Sequence, residues 1–263
     1  MSDERWKRLE LREDASAYVS QSQSARLWSE GWVRDNMFCP ACSAEAIDKL
    51  PNNSPVADFA CSGCHEQFEL KSQRGPFRKK VVDGAFRAMS ERLKSLENPN
   101  LLLMRYDREA LTVSDLIVVP KHFFTPQIIE PRKPLGPNAR RAGWQGCNIL
   151  LDGIPEVGRI WLVRNREFIS PSDVRKDWDQ TLFLRDQTAT GRGWLIEVLK
   201  CVEAIPAAEF TLQDVYAFED ALKTIYPGNS NVRPKIRQQL QVLRDRGLLE
   251  FLGDGRYRRR GLH

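Results

Sequence analysis

The sequence predicts an α/β protein followed by a smaller C-terminal domain of three helices and a β-hairpin. Apolar runs typical of buried strands lie at residues 101–106, 116–120, 148–151 and 159–163. Helical apolar spacing occurs over residues 16–32, within a mostly helical segment 1–38, and again over residues 82–96. Short buried strands beside helices indicate a sheet that is covered on its faces.

The composition is that of an ordinary globular protein. The 263 residues are 41% hydrophobic and 29% charged, and they suffice for two domains. No apolar run approaches the roughly 20 residues that cross a bilayer, and the charged start lacks the apolar core of a secretory signal. We therefore expect a cytoplasmic protein, acting as a monomer, with no membrane partner.

The positive charge is concentrated in two regions. Residues 229–263 contain nine Lys or Arg against three Asp or Glu, and residues 121–143 contain five against one. Basic regions of this kind indicate a polyanionic partner such as DNA, although they also occur as ordinary solvated surfaces.

The C-terminal part has the element order of a winged helix-turn-helix. A polar, glycine-containing stretch at 184–193 places a boundary between a domain 1–184 and a domain 185–263. Helices are then predicted over 194–202, over 212–225 with Thr211 as N-cap, and over 232–246 with Gly247 after its end. A hairpin over 248–258 forms the wing.

A winged helix places its third helix in the DNA major groove. The side chains expected to meet base edges there are Ser230, Asn231, Arg233, Lys235 and Arg237. Arg256, with the arginines that follow it on the wing, is expected to contact phosphates, which adds salt-sensitive affinity rather than specificity.

Four of the six cysteines form two Cys-x-x-Cys pairs, Cys39/Cys42 and Cys61/Cys64, separated by 18 residues. In a reducing compartment this spacing predicts a metal site rather than disulfides. Four thiolates close a tetrahedral shell, so we expect a structural Zn²⁺ with no open position. His65 is expected at the surface, outside the ligand set.

A candidate nuclease site follows from Asp58, Glu69 and Lys71, spaced Asp-x10-Glu-x-Lys. A hairpin turning at residues 61–64 would bring Asp58 beside Glu69, and Glu69 and Lys71 would face the same side of one strand. The two carboxylates and the Leu70 carbonyl are oxygen ligands suited to Mg²⁺. Lys71 would hold or activate the attacking water. Glu-x-Lys is also common on exposed strands, and acids of the N-terminal helical segment, Glu10 or Glu30, could contribute as well.

Residues 121–145 break the periodic pattern with several prolines and glycines. A segment of this length without periodicity is usually functional or disordered. Its basic residues, including Arg140 and Arg141, together with Trp144, indicate a DNA-contacting loop. The alternative for Trp144 is a core tryptophan.

Taken together, these segments resemble the DpnI-type methyl-directed restriction endonucleases, a family of the PD-(D/E)xK nuclease superfamily. The resemblance extends over residues 39–251 and is carried by CPAC, PVADFAC, CSGC, FELKS, RKPLGPNARRAGWQGCNI, LFLR, RGWLIEVL, EFTLQDVYAFE and IRQQLQVLRDRGLLEF. One departure concerns the proline of the superfamily motif, because Pro55 lies three residues before Asp58 instead of adjacent to it.

The resemblance implies a Mg²⁺-dependent type II endonuclease that cuts double-stranded DNA at GATC sites containing N6-methyladenine. It also implies that both domains read the methylated sequence, with Trp144 forming an aromatic wall against the methyl group. Two alternatives stay open at this point. One is a non-catalytic zinc and winged-helix DNA-binding regulator, and the other is a nuclease acting on RNA or branched DNA.

Overall fold

The computed structural model of the chain describes residues 6, 8–11, 21–51, 54, 57–95 and 97–260. Its helices are α1 (Gln21–Asn36), α2 (Phe86–Ser95), α3 (Pro171–Thr181), α4 (Ala189–Ala204), α5 (Leu212–Tyr216), α6 (Glu219–Ile225) and α7 (Val232–Asp245). Its strands are β1 (Asp48–Lys49), β2 (Phe59–Ala60), β3 (Gln67–Gln73), β4 (Lys80–Ala85), β5 (Asn100–Asp107), β6 (Thr112–Val119), β7 (Ile129–Pro131), β8 (Gly146–Leu150), β9 (Ile160–Arg164), β10 (Glu167–Phe168), β11 (Glu209–Thr211), β12 (Leu249–Gly253) and β13 (Arg256–Arg259).

The largest sheet has the strand order β1-β2-β3-β5-β6-β9-β10. Strands β3 and β5 are parallel, with Glu69 opposite Leu101 and Lys71 opposite Leu103, and the other pairs are antiparallel. The apolar runs predicted at residues 101–106, 116–120 and 159–163 form neighbouring strands of this sheet as β5, β6 and β9, whereas the run at 148–151 falls in β8 of a second sheet. The predicted α/β class is confirmed.

The two faces of this sheet pack into different cores. Leu102 belongs to a core that includes Trp32 of α1, and Leu103 belongs to a core that includes Leu93 of α2 and Ile236 of α7. Side chains alternate along a strand, and directly paired residues share a face. Glu69 and Lys71 therefore lie on the face that α2 and the C-terminal elements cover.

Residues 82–85 form a strand, so the helix predicted over 82–96 is wrong at its start. Strand β4 pairs antiparallel with β8, with a bulge between Asp83 and Ala85, and α2 begins only at Phe86. Val81 and Val82 are β-branched and suit a strand, and β8 supplies hydrogen bonds that a local pattern does not reveal. The strand order of this second sheet is β4-β8-β7.

The polar stretch at 184–193 is shorter than predicted, because α4 begins at Ala189 and includes both of its glycines. Gly193 has a packing reason, since a Cβ atom there would lie 2.8 Å from the Tyr226 hydroxyl oxygen. The next residue, Trp194, stacks on the Tyr226 ring with centroids 4.1 Å apart. The glycine thus allows α4 to approach the end of α6 closely.

Residues 212–225 form two helices, α5 and α6, instead of the single helix predicted. Phe218 takes the boundary position between them. The Thr211 cap is confirmed, because its side chain accepts the Asp214 N–H and the Asp214 carboxylate accepts the Thr211 N–H.

Helix α7 buries its predicted apolar stripe and ends as predicted. Ile236, Leu240 and Leu243 are fully buried. Gly247 has φ +75°, and the Leu248 N–H donates to the Leu243 carbonyl at 3.0 Å, which is a glycine-terminated helix end. Strands β11, β13 and β12 form the accompanying sheet, so the C-terminal winged helix-turn-helix is confirmed.

Candidate active site and zinc centre

The four cysteines lie in two matching backbone turns. In each turn the N–H of the first cysteine, Cys39 or Cys61, donates to the carbonyl five residues later at 2.8 or 2.9 Å. Its own carbonyl accepts the N–H of the residue four positions later at 2.8 or 2.9 Å. These bonds fold each Cys-x-x-Cys segment so that both of its sulfurs point the same way.

The cysteine sulfurs from the two turns come together. The Cys39 and Cys64 sulfurs are 3.6 Å apart, as are those of Cys42 and Cys61, and all four lie within 4.8 Å of one another. This is far beyond a disulfide bond of about 2.05 Å. It is close to the edge of about 3.8 Å expected for a tetrahedron with metal–sulfur distances of about 2.3 Å.

These four cysteines could therefore hold zinc. Within the described ranges, they are the one group of three or more His, Cys, Asp or Glu side chains with ligand atoms so close together. His65 is exposed and lies outside the group, as predicted. Burial raises the pKa of the Cys64 thiol to about 11. Burial would also raise the pKa of Cys61, but backbone N–H groups of Cys64 and Gly63 donate to its sulfur and lower it.

The hairpin β2–β3 holds Asp58 against the start of the Glu-x-Lys segment. The Asp58 N–H donates to the Phe68 carbonyl at 2.9 Å. Its carboxylate Oδ2 accepts the Leu70 N–H at 2.8 Å. Because Leu70 lies between Glu69 and Lys71, these bonds bring the three predicted site residues together, with Asp58 Oδ1 left for another partner.

Lys71 is held between two carboxylates, only one of which the sequence identified. Its Nζ lies 2.6 Å from Glu69 Oε1 and 2.9 Å from Asp83 Oδ1. Asp83 is on β4 and is 9% exposed. Sequence reasoning missed Asp83 because the segment around it was assigned to a helix. A β-branched pair just before an acidic residue was the available signal.

The charges in this site are strongly coupled. Burial raises the pKa of Glu69 to about 6, with Lys71 opposing the rise and the charges of Asp83 and Asp58 adding to it. Burial alone would lower the pKa of Lys71, but Glu69 and Asp83 raise it above its usual range. Burial would raise the pKa of Asp83, yet Lys71, the Gly84 N–H and Glu69 together lower it. Lys71 is therefore a firmly protonated ammonium group.

The donor set fits a hard divalent cation. Two carboxylates, Glu69 and Asp83, contact the Lys71 ammonium group, and the Asp58 carboxylate is near enough to raise the pKa of Glu69. Mg²⁺ prefers oxygen ligands and needs only one or two carboxylates from the protein. The predicted ligands Asp58, Glu69 and Leu70 stay a prediction.

Neither acid proposed from the N-terminal segment reaches the site as a free carboxylate. Glu30 is 4% exposed and is bound by Arg26 on α1 and by Lys49 at 2.7 Å. Glu10 forms a β-bridge with Thr112, and Thr112 pairs with Asp107 of β5. Glu69 pairs with Leu101, which lies six residues before Asp107 on the same strand. Six residues correspond to about 20 Å along a strand.

The loop between β7 and β8 carries Arg140, Arg141 and Trp144. Both arginines are exposed, and the Arg141 guanidinium lies 5.9 Å from the centre of the Trp144 ring. Trp144 is half-buried rather than a core residue, and its ring packs on Gly146, where a Cβ would come within 2.9 Å of it. The absence of a side chain at Gly146 therefore leaves room for the indole ring.

The predicted base-reading residues lie outside the buried stripe of α7, exposed or half-exposed: Ser230, Asn231, Arg233, Lys235 and Arg237. The Arg233 guanidinium pairs with Glu219 at 2.6 Å and lies over the Tyr216 ring. Arg237 donates to the Tyr216 hydroxyl at 2.7 Å. Helices α5 and α6 therefore orient both arginines, and the role of this set in reading bases stays a prediction.

The wing presents Arg256 at the start of β13, opposite Thr211. Arg256 is exposed. Arg258 pairs with Glu209 at 2.6 Å and Arg260 with Glu250 at 3.1 Å, which partly neutralises those two arginines. Arg256 therefore stays the candidate phosphate contact on the wing.

The fold defines an α/β protein with a four-cysteine centre, a carboxylate–lysine site and a C-terminal helix-turn-helix. Comparison with protein families agrees: the model of the Dam-replacing family, DpnI, matches residues 9–187, and that of the Dam-replacing HTH domain matches residues 190–259. The first match covers more than half of the chain, so the protein belongs to the Dam-replacing family. The resemblance to a DpnI-like methyl-directed endonuclease is confirmed.

Family membership supports a methyl-dependent restriction enzyme acting on DNA, and the helix-turn-helix supports DNA binding. The boundary between residues 184 and 185 stays a prediction. Among the helices that the structure describes, none is both long and apolar enough to cross a membrane.

Proposed function

We propose that this protein is a type II methyl-directed endonuclease of the PD-(D/E)xK superfamily, acting as a monomer. It hydrolyses phosphodiester bonds of double-stranded DNA at GATC sites that contain N6-methyladenine. The observation that carries the proposal is the convergence of Asp58, Glu69 and Lys71 on one zinc-stapled hairpin in a chain of the Dam-replacing family.

Asp58, Glu69 and the Leu70 carbonyl would hold Mg²⁺. When bound, this ion supplies charge stabilisation at the phosphate and lowers the pKa of a coordinated water. Asp58 is suited to this role because its Oδ2 is fixed by the Leu70 N–H at 2.8 Å, which leaves Oδ1 available.

Lys71 acts as a hydrogen-bond donor and a fixed positive charge. The two flanking carboxylates keep its Nζ protonated. From this position Nζ orients the attacking water and stabilises negative charge on the phosphoryl oxygens as it develops. Asp83 positions Lys71, because it binds Nζ at 2.9 Å and is not needed as a metal ligand.

Recognition of the methyl group requires more than one contact. Trp144 provides an aromatic face in the loop between β7 and β8, beside Arg140 and Arg141. Burying one methyl group contributes about 1 kcal/mol, which corresponds to only about fivefold selectivity. We therefore assign additional base reading to the exposed residues of α7, and phosphate binding to Arg256.

Digestion of one GATC-containing plasmid tests the proposal. The plasmid is prepared in adenine-methylated and unmethylated forms and incubated with the protein and Mg²⁺. We expect cutting of the methylated form alone. Cutting of neither form, or of both forms equally, would contradict the methyl-directed activity, and a panel of RNA and branched DNA would then identify another substrate.

The Lys71→Ala variant separates the enzyme from a non-catalytic DNA-binding regulator. In an enzyme the variant loses cutting but keeps DNA binding, because Lys71 lies in the carboxylate site and not on α7 or the wing. In a regulator the wild-type protein has no cutting to lose.

A further inference from the structure

Beside the proposed nuclease site, α1 presents a guanidinium group that the motif does not include. Arg26 Nη2 lies 3.6 Å from Asp58 Oδ1. The other carboxylate oxygen, Oδ2, accepts the Leu70 N–H. Arg26 is therefore next to the carboxylate atom assigned to the metal.

A buried carboxylate anchors this arginine on its other side. The Arg26 Nε donates to Glu30 Oε1, while Lys49 occupies Glu30 Oε2 at 2.7 Å. The Glu30 side chain is 5% exposed, whereas the Arg26 side chain is 57% exposed. The guanidinium is thus bound at Nε, while more than half of the side chain stays exposed to solvent.

The charge count favours an anionic ligand once a divalent cation is present. Four carboxylates, Asp58, Glu69, Asp83 and Glu30, share three cations, Lys71, Arg26 and Lys49, which leaves one net negative charge. A divalent cation would reverse this to one positive charge. A phosphodiester group would then neutralise the site.

We infer that Arg26 is a further substrate-binding residue, whose terminal guanidinium nitrogens bind a DNA phosphate at the nuclease site. The inference rests on the proposed function. The contact to Asp58 is longer than a hydrogen bond, so little is lost when the metal takes Asp58 Oδ1. A guanidinium group matches the paired oxygens of a phosphate, and its attachment to Glu30 reduces the entropy lost on binding.

DNA binding tests this assignment independently of cutting. Equilibrium affinity for a methylated GATC duplex is measured with Mg²⁺ at several salt concentrations, in a Lys71→Ala background that we expect to bind without cutting. Arg26→Ala should weaken binding by about tenfold and reduce the slope of log affinity against log salt by about 0.9, the value for one phosphate contact. Arg26→Gln, which keeps a donor for Glu30 without the charge, should give the same change, whereas Arg26→Lys should keep the slope.

Arg34 offers a matched control on the same helix. Its side chain is also 57% exposed and its Nε also binds a carboxylate, that of Asp35 at 2.7 Å. Arg34→Ala should leave the slope unchanged. If Arg26→Gln has the same slope of log affinity against log salt as the protein with Arg26, the assignment is overturned. A change in melting temperature or Mg²⁺ requirement alone would not rescue it, because it would show only that Arg26 neutralises Glu30 or Asp58.

The outcome also distinguishes this inference from the proposed function. If the wild-type protein does not cut methylated DNA, the proposed nuclease fails. If it cuts, and Arg26→Gln binds DNA with the full salt slope, only the role of Arg26 fails.

Discussion

Replacing Asp83 with asparagine should uncouple Lys71 from the metal site. In the structure Lys71 Nζ is shared between Glu69 and Asp83. If Glu69 binds Mg²⁺ as proposed, Asp83 would remain as the carboxylate that holds Lys71. Without the charge of Asp83, Lys71 competes with the metal for Glu69. We therefore expect Asp83→Asn to cut more slowly and to require more Mg²⁺.

The size of the effect follows from the burial of this pair. The Asp83 side chain is 5% exposed and that of Lys71 is 23% exposed, so solvent screens their hydrogen bond little. A hydrogen bond to a charged group contributes about 1.5–3 kcal/mol. At about 1.36 kcal/mol per tenfold change, the rate at saturating Mg²⁺ should fall by about 10- to 160-fold.

Single-turnover cleavage measured over Mg²⁺ concentration and pH tests the reasoning. The charge of Asp83 raises the pKa of Glu69, so its removal should move the acid limb of the pH profile to lower pH. Asp115→Asn is the matched control, because Asp115 pairs with Arg105 at 3.0 Å in the sheet that carries Lys71 and its side chain is 14% exposed. Our account is refuted if Asp83→Asn loses no more activity than Asp115→Asn, or if its acid limb moves to higher pH.

Three other predictions address the titrating groups and the zinc centre. Burial raises the pKa of Glu69 to about 6, so below that pH protons compete with the metal and the Mg²⁺ requirement should rise by up to about tenfold per pH unit; a requirement equal at pH 5 and pH 7 would contradict this. Cys61→Ser should abolish tight zinc binding, measured by elemental analysis, and should lower Tm by about 10 °C or more, at about 2–4 °C for each kcal/mol of lost stability. Cys201→Ser, a change outside the four-cysteine cluster, should retain zinc. A zinc-loaded Cys61→Ser protein would argue against the site. Burial lowers the pKa of His122 to about 3 from 6.5, so the unfolded chain binds a proton below pH 6.5 that the folded protein does not. The wild type should therefore lose up to about 1.4 kcal/mol of unfolding free energy per pH unit between pH 6.5 and 3 relative to His122→Gln; parallel stability curves in urea would show that His122 is not responsible.

The features that the sequence predicted well depend on short-range geometry. The spacing of the four cysteines sets the position of the turn between β2 and β3. This turn places Asp58 beside the Glu69–Lys71 segment of β3. The apolar stripe of α7 and its glycine end are also local patterns. In each case the residues that interact are close in the chain, or are brought together by a metal-ligand spacing that has few other uses.

The missed features depend on contacts that are distant in the chain. Strand β4 exists because it pairs with β8, more than 60 residues later, as in the pairing of Asp83 with Cys147. Its own apolar residues fit helical spacing equally well, so periodicity assigned it to α2. Arg26 was missed for a similar reason: only the packing of α1 beside β1 and β3 brings it to Asp58. The sequence pattern draws attention to the acidic residues of that segment, but the residue that reaches Asp58 is basic.

Strand β8 links the proposed chemistry to the proposed methyl-reading loop. Asp83, which holds Lys71, pairs with Cys147, and Ala85 pairs with Gly146, on which the Trp144 ring packs. The Phe86 N–H extends this ladder by donating to the Gln145 carbonyl at 3.0 Å. A slip of one residue in this pairing would turn Asp83 to the opposite face and displace the loop at the same time. The position of Trp144 and the orientation of Lys71 are therefore set by one strand pairing, whereas the exposed residues of α7 belong to a separate set of elements. If Lys71 and Trp144 act as proposed, this pairing would couple cutting to methyl recognition within the N-terminal sheets, and the helix-turn-helix would add affinity and sequence discrimination.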